Sequence, residues 1–112
     1  MLKKITPYSR QLIDKKDIEA VNKVLKSNFL TQGEFVPLFE KNLERYSTSK
    51  FAVTFNSATS ALHISCLALG LRKGDILWTS PISFVASSNA ALYCGANVDF
   101  VDIDYETSNI SI

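Results

Sequence analysis

The residues best suited to chemistry in this chain are small and polar, and they close an apolar run at Phe51-Ala-Val-Thr-Phe-Asn-Ser-Ala-Thr-Ser-Ala-Leu62. Such a junction ends a strand and opens a helix, whose first backbone N–H groups are free and whose dipole is positive at that end. Small side chains from Ser57 to Ser60 let a phosphate come close to those donors. The same residues also suit an ordinary N-cap, with Asn56 or Ser57 as the capping side chain. A second candidate is Phe84, which ends Ser80-Pro-Ile-Ser-Phe84 after the next apolar run. Beside an anion cradle it offers a stacking face for a phosphorylated flat heterocycle; core packing is the alternative role.

Other chemistries find little support. His63 is the single histidine and falls inside the helix after the small-residue turn, so spacing assembles no nucleophile, base and orienting group. Asp99, Asp102 and Asp104 look like a carboxylate cluster, but strand alternation sends Asp99 to the face opposite Asp102 and Asp104. A strand end followed by an acidic turn explains them without a metal. The glycine-rich signatures of P-loop and dinucleotide sites are missing. Cys66 and Cys94 lack metal-ligand spacing and sit in apolar helical stretches, which predicts buried reduced thiols.

These groups need elements to place them. Asp14, with Asp17 three residues on and Ile13 able to staple against Ile18, predicts a helix carrying Ile18, Val21, Val24 and Leu25 on one face and ending near Ser27. Residues 28–33 then form a loop, and a second helix starts around Pro37 with Phe35, Leu38, Phe39, Leu43 and Tyr46 as its buried stripe. Strands are expected at 51–55, 76–80 and 97–103, with helices at 59–69 and 84–94. Gly70 with Arg72-Lys73-Gly74-Asp75, and Cys94-Gly95, supply the helix stops. A turn is expected at 104–107. Two successive βα crossovers imply an α/β fold with a mostly parallel sheet, in which the turns at 56–60 and 80–84 emerge at the carboxyl ends of the strands and face one crevice.

Composition bounds the function classes. With 112 residues, 46% of them apolar, and a net charge of +1, the chain is neither disordered nor a dedicated nucleic-acid or anionic-membrane binder. Its first 50 residues carry ten Lys or Arg against six acids and the remainder two against five, yet the basic residues are interleaved with acids along helix faces. No apolar run follows the basic opening Met1-Leu-Lys-Lys-Ile-Thr-Pro7, and none is long enough to span a bilayer, so the expected location is cytoplasmic. Three strands make a poor free-standing parallel sheet, so these residues are expected to be part of a larger domain.

Six landmarks in order, Pro7-Tyr-Ser-Arg-Gln11, Leu30-Thr-Gln-Gly33, Asn56-Ser-Ala-Thr-Ser-Ala-Leu62, Pro81-Ile-Ser-Phe-Val-Ala86, Asn89-Ala-Ala-Leu-Tyr-Cys-Gly95 and Phe100-Val-Asp-Ile-Asp104, resemble the N-terminal region of the DegT/DnrJ/EryC1/StrS sugar aminotransferases. The resemblance implies the arm (residues 1–50, two helices) and the first, incomplete part of the large domain (51–112) of a fold type I enzyme. It implies pyridoxal 5′-phosphate as cofactor, held by the Ala58 backbone and the Thr59 hydroxyl with Phe84 stacked on its ring. It also implies that Tyr8, Asn28, Phe29, Leu30, Thr31 and Ala58 contact a UDP-sugar. Leu30-Thr-Gln-Gly33 with Pro81-Ile-Ser-Phe84 most resembles members that aminate a UDP-4-keto-6-deoxy-N-acetylamino sugar for pseudaminic acid, with an amino-acid donor, glutamate, and a homodimeric assembly. Many relatives have Ser-Gly-Thr where this chain has Ser57-Ala58-Thr59; alanine keeps the cradle provided the backbone there does not need positive φ. The family's cofactor-bearing lysine and its pyridine-nitrogen aspartate match no motif here, so no catalytic residue is assigned. A non-catalytic module binding a phosphorylated ligand or a partner is the alternative if 112 residues is the natural length.

Overall fold

The computed structural model describes residues 6–111, which separate into two compact units divided between Ala52 and Val53. Most of the basic opening segment, residues 1–5, lies outside the described residues.

In the first unit, α1 (Lys15–Leu25) begins with the capping box expected from the sequence. The Asp14 carboxylate accepts from the N–H groups of Lys16 at 2.7 Å and Asp17 at 3.1 Å, and Asp17 accepts from the Asp14 N–H at 2.9 Å. Ile13 and Ile18 line one shallow groove, as a hydrophobic staple requires. The second helix, α2 (Phe35–Ser47), starts two residues earlier than predicted. Pro37 therefore occupies the third helical position, where the missing N–H costs nothing because first-turn donors have no intrahelical acceptor. The predicted buried stripe is not buried. Phe35 and Leu43 are half-buried, while Leu38, Phe39 and Tyr46 are exposed, and α1 likewise has no buried residue. Two short helices cannot enclose a core by themselves, whatever the periodicity of their apolar faces.

In the second unit, α3 (Ala58–Ala68), β1 (Ile76–Thr79), α4 (Ala86–Tyr93) and β2 (Asn97–Phe100) follow in order. β1 and β2 pair in parallel with Ile76 opposite Asn97 and Thr79 opposite Phe100, so α4 is the expected crossover. The first predicted strand, 51–55, forms no ladder, and the sheet of the described residues has two strands. Strand propensity is realised only through pairing, and these residues meet no partner strand. The last predicted strand stops at Phe100 rather than 103; beyond it the Val101 N–H still reaches the Thr79 carbonyl at 3.0 Å. Ile103 then bridges Ile110 across a tight turn in which the Asp104 carboxylate accepts from the Thr107 N–H at 2.8 Å and its hydroxyl at 2.9 Å. Those bonds hold the Asp104 carboxyl below its ordinary pKa.

Both helix stops are Schellman motifs. Gly70 (φ 84°) and Gly95 (φ 74°) take the left-handed position, while Leu71 N–H returns to the Cys66 carbonyl and Ala96 N–H to that of Ala91, each at 3.0 Å. The core is built from small side chains: among the described residues Ala86, Ala90, Ala91 and Ala96 are the buried ones, three of them on α4. Alanine lets α4 sit close against both strands and α3. On the sheet, Ile76 and Trp78 face outward and are exposed, with Leu77 and Thr79 half-buried between them. His63 of α3 meets Tyr93 of α4 edge to face at 5.3 Å. Cys66 and Cys94 are free, as expected, but half-buried rather than buried; partial burial and the neighbouring Cys66 push the Cys94 thiol up.

Candidate active-site residues

The start of α3 is the better-formed half of the candidate site. Ser57 adopts an extended conformation and caps the helix, its hydroxyl accepting from the Ser60 N–H at 3.1 Å and lying 3.0 Å from the Ser60 hydroxyl. Its carbonyl accepts from Ala61 at 3.1 Å. The N–H groups of Ala58 and Thr59, the first two helical positions, are left outside the helix's own bonds. The capping reading and the cradle reading are thus compatible, because the cap uses the third donor and leaves the first two. Ala58 does not have positive φ, so its Cβ brings no strain where relatives carry glycine. Thr59 is half-buried and Ala58 exposed.

Phe84 lies in the same unit but just ahead of α4. The helix begins at Ala86, not 84, because Phe84 belongs to the preceding turn, where its carbonyl accepts from the Ser87 N–H at 3.0 Å. At 74% exposed, its ring is not a core side chain in the described structure, which leaves a face available for stacking. With Thr79, Ser80, Ser87, Ser88 and Phe100 it lines a cavity of about 220 Å³. That cavity takes none of its wall from residues 56–60, so it does not join the two turns into one crevice.

Apart from Ala58 at the start of α3, the candidate sugar-nucleotide residues belong to the first unit. Tyr8 is fully exposed. Asn28 and Phe29 line a cavity of about 450 Å³ together with Lys26, Ser27, Gly33, Glu34 and Phe35; Leu30 and Thr31 lie off it. The loop around this cavity is specified locally. The Ser27 hydroxyl lies 2.7 Å from the Val24 carbonyl and 3.0 Å from that of Phe29. A Cβ on Gly33 would stand 3.0 Å from the Phe29 carbonyl oxygen, so any other residue there requires the loop to give by a few tenths of an ångström. The Lys23 ammonium stands 5.4 Å from the centre of the Phe35 ring and ties the end of α1 to the start of α2. Lys26 and Glu34 were not singled out from the sequence, and Phe35 was read only as part of the apolar stripe of α2. Their signal was only adjacency to the loop, at a helix end and a helix start. The described residues hold no cluster of three or more metal-ligating side chains, and none of their helices is long and apolar enough to cross a membrane.

Residues 11–112 match the DegT/DnrJ/EryC1/StrS aminotransferase family. The chain belongs to this family. Among its relatives in the family, the UDP-4-amino-4,6-dideoxy-N-acetyl-beta-L-altrosamine transaminase of Campylobacter jejuni subsp. jejuni serotype O:23/36 (strain 81-176) is 49% identical over 86% of this chain and 25% of the relative. The structure of Helicobacter pylori PseC, an aminotransferase involved in the biosynthesis of pseudoaminic acid, superposes with a TM-score of 0.86 at 40% identity, over 94% of this chain and 29% of PseC. The PLP-form of the putative sugar aminotransferase Spr1654 from Streptococcus pneumoniae gives a TM-score of 0.88 at 28% identity, over 95% of this chain and 27% of Spr1654. The α/β fold described above is accordingly part of a fold type I aminotransferase, and pyridoxal phosphate is the cofactor the family implies. The chain spans about a quarter of the length of the curated relatives it matches.

Proposed function

We propose that the complete protein is a cytoplasmic, homodimeric, pyridoxal-phosphate-dependent aminotransferase and that this chain is its N-terminal part. In this reading it moves an amino group from glutamate to the keto carbon of a UDP-4-keto-6-deoxy-N-acetylamino sugar of the pseudaminic acid type. The observation that carries the proposal is the capped start of α3, where Ser57 satisfies the third donor and leaves the N–H groups of Ala58 and Thr59 for a phosphate. The residues fit the cofactor. Ala58 and the Thr59 hydroxyl would hold its phosphate, and the exposed ring of Phe84 would cover one face of its pyridine. When bound, pyridoxal phosphate supplies an electron sink for the carbon that loses or gains a proton. This chain's share of the work is to fix the group by its phosphate and ring; Tyr8 and the Asn28–Thr31 loop are assigned to the sugar nucleotide. The proton-moving lysine and the nitrogen-pairing aspartate match nothing in these 112 residues.

The test is made on the purified complete protein. Absorbance from bound pyridoxal phosphate and glutamate-dependent amination of a UDP-4-keto-6-deoxy sugar are expected. Absence of both sinks the proposal. A cooperative melt of the 112-residue chain alone, raised by a phosphorylated ligand, would favour the binding-module alternative instead.

A further inference from the structure

We infer that Glu34 reads the ribose 2′-hydroxyl of the nucleotide substrate, in the cavity between the end of α1 and the start of α2. The inference rests on the sugar-nucleotide reading above and assigns a residue that reading leaves idle. Glu34 occupies the N-cap of α2, where a short oxygen-bearing side chain ordinarily caps the first turn, yet its carboxylate makes no capping bond. It lines the cavity of about 450 Å³ instead, a volume within the range of small-ligand sites. A carboxylate is a pure acceptor, which suits a hydroxyl donor. Lys26 lines the same cavity, and among the described residues the two form no ion pair, so the acceptor is not spent on a neighbour. The remaining walls suit a nucleoside: the aromatic rings of Phe29 and Phe35, and the Asn28 amide, which can both donate and accept. A carboxylate on a ribose hydroxyl is a recurrent device for holding nucleotides.

The experiment compares binding of UDP and 2′-deoxy-UDP to the complete protein and to its Glu34→Ala variant, by calorimetry. The wild-type protein is expected to prefer UDP by about tenfold or more, the range of a hydrogen bond to a charged group. The variant should lose that preference by weakening UDP while leaving 2′-deoxy-UDP unchanged. A variant that keeps the preference, or weakens both ligands alike, overturns the role of Glu34 and leaves the aminotransferase reading standing. A wild-type protein that binds pyridoxal phosphate but neither nucleotide overturns the sugar-nucleotide reading as well.

Discussion

Ser57 does two things with one geometry. Its hydroxyl satisfies one backbone donor of α3, and by holding the turn it aims the next two donors outward. Ser57→Ala is therefore expected to cost about 1 kcal/mol in stability and to weaken retention of pyridoxal phosphate, whereas Ser57→Gly should cost only a few tenths in stability. Denaturant unfolding and cofactor dialysis of the complete protein check the two effects. This residue and Asp14 were legible in the sequence because a cap is a local event, fixed by a side chain and the N–H groups two or three positions on. Phe84 was less legible. Pattern left core and stacking roles open, and in the described structure the ring is exposed.

At the level of elements, the decisive feature is the alanine face of α4. Ala91 is fully buried, and α4 touches α3 and both strands, so there is no direction in which a larger side chain can go. Ala91→Leu is expected to destabilise the complete protein by about 1–3 kcal/mol, read as a lower denaturation midpoint at unchanged slope. Exposed Leu92, the next residue, is the matched control, and Leu92→Ala should have a much smaller effect. Helices proved readable here to within a residue or two because their stops lie in the chain itself, as the paired Schellman turns at Gly70 and Gly95 show. The run at 51–55 was not, since a strand exists only where another strand accepts its bonds and that partner is not written locally.

Each of the two described units carries apolar side chains outward. Among the described residues of the second unit, Val53, Ile76, Trp78, Ile82 and Phe84 are all more than half exposed, and each strand of the pair has an open edge. Patches of this kind mark surfaces that meet other protein. The 112-residue chain expressed alone is thus expected to bind a hydrophobic dye and to self-associate, and the complete protein is expected to do neither; dye fluorescence and light scattering distinguish them. The stripes on α1 and α2 misled for the same reason. Periodicity shows which face is apolar, but what covers that face is a property of the assembled molecule.

Trp78 turns this openness into an optical signal. It is the only tryptophan of the 112 residues, and it stands on the outward face of β1. Its indole is in water wherever that face is bare and in a dry environment wherever it is covered. The wavelength of its emission therefore reports, without any label, whether that face of the sheet is covered.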